Sequence, residues 1–565
     1  MPENTSSAVR YGWFLLFVAG LGGLLYGVDV GVIAAALLYL GKTISLTVAQ
    51  TSLIVAAVLG GGMLSSLVAG VLADWFGRKK MMIVSGLMFV TSVGLIVISQ
   101  GFIALFIGRL LQGMSGGVIA VVVPLYLAEC LSASSRGRGT AIFQFMLTFG
   151  IVIAAVTGWY YTQHAETAIA AAAGNLELIK AAQNHAWRGM FLAVIYPGIV
   201  FCLGSFALSE SPRWLFRRGK KDAAMAALRR ASSEREAELE MREMEALAAA
   251  NQQKIDSHTS DSLLQRKYVV PFILACVILT LNQATGINSI LGFLVIILKH
   301  AGMTASHATQ GDVAVKVLQC VMTVVAIVLV DRKGRKFLLK LGTAGVVLAL
   351  VTGAFLFLGV ESKHMDLQEK VQAAVTGNTL TLPVNETRLG ASTPGRPVEL
   401  TVLYSYGDGD KVTAVLSNEE DPTIRIEPDA KSSNKPLVIK HALYGPVPPE
   451  SVGWLITACL GLFMASYAAG PGVVVWLALS ELMPTRIRST GMGIALLLNQ
   501  GTSTLIAAVF LPVVGNYGYY AMFFFWAGCT VLYFITAAFF LPETKGKTLE
   551  EIEKYFESGK KSVPA

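Results

Sequence analysis

Twelve long apolar segments set the strongest limit on how this chain can fold. A membrane-spanning helix needs about 20 predominantly apolar residues, and each segment reaches that length. The segments cover residues 11–40, 51–73, 80–100, 103–130, 138–163, 186–209, 268–299, 306–330, 336–360, 451–481, 489–515 and 519–541. Only 15% of the residues are charged, whereas a soluble domain carries about 25%. The sequence therefore predicts an all-α polytopic membrane protein in a lipid bilayer.

Basic residues concentrate in short loops between particular spans. They include Arg78, Lys79 and Lys80, Arg332 and Lys333, and Arg486 and Arg488. Lys and Arg are enriched in cytoplasmic loops, so we expect these loops and both termini to be cytoplasmic. Because the charges sit at helix ends rather than on one solvated face, we expect no nucleic-acid partner.

The sequence lacks motifs that would indicate catalysis. It contains no P-loop, no HExxH pattern and no nucleophile motif. Its six cysteines all lie in apolar segments without CxxC spacing. We expect no enzyme activity, no cofactor and no metal site.

Two polar stretches interrupt the apolar pattern. Residues 213–267 are rich in Ala, Glu, Arg and Lys and favour cytoplasmic linker helices, although a disordered charged linker stays an alternative. Residues 361–450 contain "VELTVLYSY" and "VTAVLS" separated by "GDGDK", a pattern typical of β-hairpins. We expect a small β-rich extracytoplasmic insertion there.

These boundaries divide the chain into six parts. They are a first six-helix bundle (1–212), linker helices (213–267), helices 7–9 of a second bundle (268–360), the insertion (361–450), helices 10–12 (451–543) and a cytoplasmic tail (544–565).

The two halves also carry matching motifs. "GVLADWFGRKK" follows span 2 and "DRKGRK" follows span 8, so Asp74 and Arg78 correspond to Asp331 and Arg335. Glu129 precedes Arg136 by the same seven residues that separate Glu481 from Arg488. A parallel repeat of six helices is an arrangement of transporters with a midplane site.

The chain resembles the sugar porter family of the major facilitator superfamily. The resemblance rests on "GGLLYGVDVGVI", "GVLADWFGRKK", "GRLLQGMSGG", "PLYLAE", "SSRGRG", "SESPRWL", "NQATGIN", "DRKGRK", "SELMPTRIRSTG" and "PETKGKT", in family order. It implies twelve helices in two six-helix bundles and transport of a sugar by alternating access.

Asp29 is an acidic residue in the middle of the first apolar segment. A buried charge in a membrane helix costs roughly 2.5–3.5 kcal/mol on insertion scales, so we expect it to be paired. Arg109 is the cation inside the first-half spans, and its depth predicts pairing with Asp29. From the chemistry alone, the pair is either a permanent structural contact or a protonation switch. The resemblance favours the switch, since proton-coupled members carry Asp there and facilitative animal members commonly carry Asn.

Polar side chains inside the spans form the candidate sugar site. Sugar hydroxyls need groups that both donate and accept hydrogen bonds. The candidates are Gln144, Asn282, Gln283, Asn288, Gln319, Trp476, Asn499 and Gln500. The resemblance supports Gln144, Gln283, Asn288 and Trp476 as substrate contacts. The chain departs from the family at Asn282, Gly292, Phe293, Gln319 and Gln500, which loses aromatic area and leaves the identity of the sugar open.

Charged residues at the predicted cytoplasmic helix ends form a candidate gate. Opposite charges there are expected to pair across helices when the inner gate is shut, although simple interfacial anchoring is the alternative. The set is Asp74, Arg78, Glu129, Arg136, Glu210, Arg213, Asp331, Arg335, Glu481, Arg488 and Glu543. Lys316, four residues after Asp312, is either an ordinary pair near the outer interface or a second charged element of the pathway.

The functional expectation is a proton-coupled monosaccharide symporter with a small-molecule sugar and protons as its partners. A facilitative uniporter is the alternative within transport, and a non-transporting sugar sensor is a less favoured one because only a short tail follows "PETKGK". We expect a monomer in the cell membrane, with a bacterial inner membrane favoured.

Overall fold

The computed structural model describes most of the chain. It covers residues 3–131, 133–255, 265–384, 389, 398–407, 409, 412–417, 423–428, 435–483, 488–543 and 555–556. Within these ranges the backbone alone is described for residues 3–8, 133–138, 140, 247–255, 267, 331, 413–417, 476–481 and 488–490.

The first half of the chain forms a bundle of six membrane-spanning segments. Its helices are α1 (Glu3–Gly31), α2 (Ile33–Thr43), α3 (Val48–Phe76), α4 (Arg78–Ile98), α5 (Phe102–Cys130), α6 (Ala133–Ala171), α7 (Leu176–Ala193) and α8 (Ile195–Ala207). Helices α1 and α2 together make the first span, and α7 and α8 together make the sixth. Three shorter helices follow: α9 (Pro212–Arg217), α10 (Lys221–Ala231) and α11 (Glu234–Ile255).

The second half repeats this plan. Its helices are α12 (Arg266–Ala284), α13 (Ile287–His300), α14 (Ala305–Lys333), α15 (Arg335–Glu361), α16 (Gln368–Ala373), α17 (Glu450–Ala469), α18 (Pro471–Leu482), α19 (Arg488–Tyr517) and α20 (Tyr519–Ile535), which continues as a π-helical turn, Thr536–Phe540. Twelve stretches of the described residues are long and apolar enough to cross a membrane. The predicted fold class is confirmed.

The insertion between α15 and α17 is a small β structure. Its strands are β1 (Met365–Asp366), β2 (Val375–Thr376), β3 (Thr379–Pro383), β4 (Val398–Tyr406), β5 (Val412–Ser417), β6 (Thr423–Ile426) and β7 (Leu437–Pro446). They form two antiparallel sheets, ordered β1-β7-β4-β5 and β2-β3-β6. The predicted hairpin is present, since Glu399 of β4 pairs with Ser417 of β5. We call the end of the bundle that bears these strands the sheet side and the opposite end, which bears α9–α11, the linker side.

The largest contacts between the two halves are made by three helix pairs. Helix α3 packs on α19, α6 on α14, and α2 on α13. Hydrogen bonds between the halves concentrate toward the sheet side, where Ser52 Oγ accepts the Leu511 N–H at 3.1 Å and the Gln163 amide donates to Ser306. The bundle is therefore closed on the sheet side.

A repeated carboxylate cap gives the internal repeat a structural basis. Glu210 accepts the backbone N–H groups of Arg78 and Lys79 at the start of α4. Glu543 accepts those of Arg335 and Lys336 at the start of α15. A carboxylate at a helix N-terminus satisfies donors that have no partner within the helix and complements the helix dipole.

A glycine precedes each of these two helices for a steric reason. Gly77 has φ 99° and Gly334 has φ 87°, a region that other residues rarely adopt. A Cβ at either position would also overlap the capping carboxylate. The motif "FGRK" and its counterpart "KGRK" thus encode a tight turn that leads into a capped helix.

Removing either capping carboxylate should destabilise the bundle by a similar amount. We expect Glu210→Ala and Glu543→Ala each to cost about 1 kcal/mol, the usual effect of a lost N-terminal cap. The measurement is the apparent unfolding temperature in detergent at one scan rate. Glu245→Ala is the control, because Glu245 pairs with Lys221 on an exposed surface. A loss as large in the control as in the two cap variants would contradict the capping role.

Candidate functional site

The candidate site lies where the first and seventh spans face each other. The first span passes from α1 to α2 at Val32, whose backbone stays helical, and the seventh is broken between Ala284 and Ile287. A narrow cleft lies between these points. It is lined by Val30, Ile33, Val55, Val58, Leu59, Arg109, Asn288 and Gly292. Both halves therefore contribute to its wall, including one predicted coupling residue and one predicted substrate contact.

Asp29 and Arg109 form a buried but poorly matched ion pair. Both side chains are 1% exposed, and the shortest contact, from Arg109 Nη1 to Asp29 Oδ1, is 3.5 Å. The same Nη1 donates a shorter bond, 2.7 Å, to Gln112 on its own helix. Among the described residues, Asp29 Oδ2 and Arg109 Nε have no hydrogen-bond partner. The carboxylate therefore receives far less compensation than a buried charge ordinarily needs.

A chain of polar side chains crosses the break in the seventh span. Asn288 donates to Gln283 Oε1 at 2.9 Å and to Ser503 Oγ at 2.8 Å. Gln283 donates to Asn499 Oδ1 at 3.3 Å, and Asn499 donates to the Leu279 carbonyl. Three predicted contacts, Gln283, Asn288 and Asn499, are thus brought together, and Ser503 is an addition that the sequence analysis missed.

Gly286 allows the seventh span to break. It adopts a left-handed conformation, φ 83°, and a Cβ there would overlap the Trp526 ring. Trp526 stacks on Phe510 with ring centroids 5.6 Å apart, and Phe510 stacks on Phe293 at 4.6 Å. This aromatic stack was not predicted, because nothing in the sequence of the last span shows that Trp526 faces the break.

Asn282 lies apart from the polar chain. It donates to the Pro471 carbonyl and to Tyr533, and it accepts the Tyr467 hydroxyl at 2.9 Å. These bonds use its amide to hold α12 against α17, α18 and α20. The helix turns this amide toward its neighbours in the same half, and its contact with a substrate stays a prediction.

The remaining predicted contacts are distributed around the interface. Gln500 is half-buried on α19. Gln319 is buried, and among the described residues its Oε1 has no partner. Gln144 is half-buried on α6. The side chain of Trp476 lies outside the described residues.

The predicted gate charges on the linker side form a compact cluster in the first half. Arg78 is 1% exposed and contacts Asp74 at 2.8 Å and Glu129 at 2.8 Å. Glu129 also accepts a bond from Arg217 at 2.9 Å and one from the Ser211 hydroxyl at 2.5 Å. Arg217 and Ser211 were not predicted. These contacts pair charges across helices of the first half and its linker, and their role in a gate stays a prediction.

Other predicted gate residues are engaged differently or not described. Glu210 and Glu543 accept backbone N–H groups at the starts of α4 and α15. Arg335 Nη1 donates to the Val330 carbonyl at 3.4 Å, which repeats the bond from Arg78 Nη1 to Ala73. Arg213 is half-buried on α9. The side chains of Arg136, Asp331, Glu481 and Arg488 lie outside the described residues.

Lys316 is far more buried than an interfacial pair would be. Its ammonium group is 2.8 Å from Asp312 Oδ2, and the two side chains are 0% and 1% exposed. Its Nζ also donates to the carbonyl of Gly31 in the other half, at 3.4 Å. The sequence spacing predicted the pair but not its position between the halves.

The chain matches a family model over most of its length. The model, described as "Sugar (and other) transporter", covers residues 15–380 and 437–556. The unmatched stretch between them falls within the β insertion. Among the part of the chain that the structure describes, no group of three or more His, Cys, Asp and Glu side chains could hold a metal ion.

Relatives and solved structures agree with this match. The glucose transporter GlcP of Staphylococcus epidermidis is 27% identical, with 96% of each chain covered. The facilitated glucose transporter member 12 of Xenopus laevis is 26% identical, covering 98% of this chain and 91% of its own. The major facilitator superfamily proton:xylose symporter XylE shares the fold with a TM-score of 0.62 at 20% identity, covering 97% of this chain and 100% of its own.

Twelve apolar helices in two repeated halves, a cleft between the halves that contains Arg109 and Asn288, and a family match over most of the chain lead to one assignment. The protein is a multi-pass membrane protein and belongs to the family described as "Sugar (and other) transporter".

Proposed function

We propose that the protein is a proton-coupled symporter of a neutral monosaccharide that works by alternating access. The observation that carries this proposal is the incomplete ion pair between Asp29 and Arg109 at the wall of the cleft. Protonation would neutralise Asp29 and weaken its hold on Arg109, which keeps its bond to Gln112. Since Arg109 also lines the cleft, the charge of Asp29 can change the shape of the site that the sugar enters.

The contacts of Glu129 in the same bundle differ from those of Asp29, and this difference supports a switch at Asp29 over a purely structural contact. Glu129 is also buried, but it receives bonds from two arginines and a hydroxyl. A carboxylate held by this many charge-assisted bonds is fixed in position. Asp29 has one long contact and one oxygen without a partner among the described residues. The two acids therefore suit different tasks: Glu129 fixes helices, and Asp29 exchanges a proton.

The chain of polar side chains that begins at the cleft suits a sugar. Asn288 lines the cleft and bonds to Gln283 and Ser503 behind it. Such amide and hydroxyl groups donate and accept hydrogen bonds, as sugar hydroxyls require. Relatives named for glucose and xylose support a hexose or a pentose as the substrate.

A facilitative uniporter is the second candidate. It is favoured by the similarity to the facilitated glucose transporter of Xenopus laevis, which spans almost the whole chain. In that case the pair between Asp29 and Arg109 would only join α1 to α5, and uptake would ignore the pH gradient.

The orientation follows from the basic loops. Arg78, Lys79 and Lys80 lie on the linker side, so we assign that side and both termini to the cytoplasm. The sheet side then faces outward. We place the protein in a bacterial inner membrane, as a monomer.

Uptake into vesicles tests the function. The purified protein is reconstituted, and uptake of labelled hexoses, pentoses and polyols is measured with and without an inward pH gradient. We expect at least one neutral sugar to accumulate above its outside concentration only when the gradient is present. Equal uptake with and without the gradient would favour the uniporter, and failure of every neutral sugar would remove the sugar assignment.

Two adjacent amides should respond differently to truncation. Gln283→Ala should raise the KM for the sugar about tenfold, the effect expected from losing roughly one good hydrogen bond. Asn282→Ala should leave the KM nearly unchanged but lower the apparent unfolding temperature, because it strips partners from two buried tyrosine hydroxyls. The measurements are transport kinetics and thermal unfolding of both variants. A KM that rises equally in both would contradict the assignment.

A further inference from the structure

A second buried ion pair lies where the second half contacts the first span, close to the point at which α1 passes into α2. Asp312 and Lys316 are both on α14, and Lys316 reaches the Gly31 carbonyl at the end of α1. A hydrogen bond from a charged ammonium group to a carbonyl oxygen is stronger than one between neutral groups. This contact therefore ties the last turn of α1 to the second half of the protein.

The burial of this pair indicates a role beyond holding α14 in place. Burying two charges costs desolvation energy that their attraction often fails to recover. A pair of apolar residues would serve packing within α14 at least as well. What the ammonium group adds is its bond across the interface. Asp312 Oδ2 positions the Lys316 ammonium group, while the second oxygen, Oδ1, has no partner among the described residues.

The position of Gly31 connects this contact to the proposed coupling site. Gly31 lies two residues after Asp29 in the same last turn of α1, and its neighbours Val30 and Ile33 line the cleft. A movement of this turn would change both the distance from Asp29 to Arg109 and the distance from Gly31 to Lys316. The turn is thus held from one side by the first half and from the other by the second.

We propose that Lys316, positioned by Asp312, is a latch that holds the last turn of α1 against α14 while the sheet side is closed. Opening the sheet side separates α1 from α14, so the latch must release Gly31 first. This inference deepens the alternating-access proposal and rests on it, but its test does not depend on transport.

The test measures how often the sheet side opens. A single cysteine replaces Val55 in a variant whose six native cysteines are changed to serine or alanine. Val55 is 4% exposed and packs against Gly292 across the interface. A small membrane-impermeant thiol reagent, applied from one side at a time without sugar or a pH gradient, reports when this position becomes accessible.

Two variants remove the latch in different ways. Lys316→Met combined with Asp312→Leu deletes both charges, so neither is left buried alone. Asp312→Lys combined with Lys316→Asp keeps the pair but moves the cation about 6 Å along the helix, away from Gly31. Thr309→Val is the matched control, because Thr309 is buried on α14 and bonds only within its own helix in the contacts described.

The latch predicts a specific pattern of labelling rates. Both double variants should label from the sheet side about tenfold faster, the shift expected when a hydrogen bond to a charged group is lost. Thr309→Val should label at the original rate. An unchanged rate in either double variant, with thermal unfolding showing that it is folded, would overturn the latch. If labelling follows the prediction while no sugar is transported, the latch stands and the proposed function fails.

Discussion

Replacing Asp29 with asparagine should abolish accumulation of sugar driven by a pH gradient or membrane potential. One charge moved through 100 mV corresponds to about 2.3 kcal/mol, which sustains a gradient of about forty- to fiftyfold. Asparagine keeps the size of the side chain but cannot carry the proton. The accumulation ratio should therefore fall to one. The measurement is steady-state uptake in vesicles with an imposed potential and pH gradient.

Two companion measurements make this result specific. Exchange of labelled for unlabelled sugar should persist in Asp29→Asn, because exchange needs no net proton movement. Asp366→Asn is the control, since Asp366 lies in the insertion, where its carboxylate contacts His441. It should accumulate sugar like the natural protein. Continued accumulation by Asp29→Asn would show that another group carries the proton.

Replacing Arg78 with methionine should strongly destabilise the first half of the protein. Arg78 is 1% exposed and contacts both Glu129 and Asp74. Removing it leaves Glu129 buried with much of its compensation gone, and breaking a buried pair in this way costs about 3–5 kcal/mol. The expected outcome is a large fall in the apparent unfolding temperature and in the yield of folded protein.

Arg217→Met is the matched control for Arg78. Arg217 bonds the same carboxylate at 2.9 Å, but its side chain is 55% exposed. Exposed pairs contribute about 0–1 kcal/mol, so its loss should be small. Glu129→Gln combined with Arg78→Met should recover part of the stability, because the uncompensated charge is removed. Equal losses for the two arginines would show that burial does not set the strength of this cluster.

Much of the fold can be predicted from the sequence. The length and apolar character of each span predict a membrane-spanning helix. The basic loops and the two copies of the "GRK" motif indicate the repeat. The proximity of Asp29 and Arg109 was predictable because a lone acid in an apolar span needs a partner. The break beside Gly286 was predictable because Gln283 and Asn288 can share a site only if the helix is interrupted.

Other features of the site depend on which way a helix is rotated in the bundle. Asn282 and Gln283 are adjacent, yet one amide fastens helices of the second half and the other joins the polar chain. Trp526 and Arg217 gain their positions only when distant segments pack against them. The depth of Lys316 also could not be predicted, because its spacing from Asp312 is compatible with a pair at any depth. Single-sequence patterns carry no information about such rotations.

The two ends of the insertion lie close together. Strand β1 pairs with β7, so that Met365 lies opposite Tyr444, and the chain leaves and rejoins the bundle through neighbouring strands. The strands that follow α15 and precede α17 are therefore neighbours, although the whole insertion lies between them in the sequence. A foreign module with closely spaced termini, such as a fluorescent protein, can be grafted at this junction as a handle for imaging or purification.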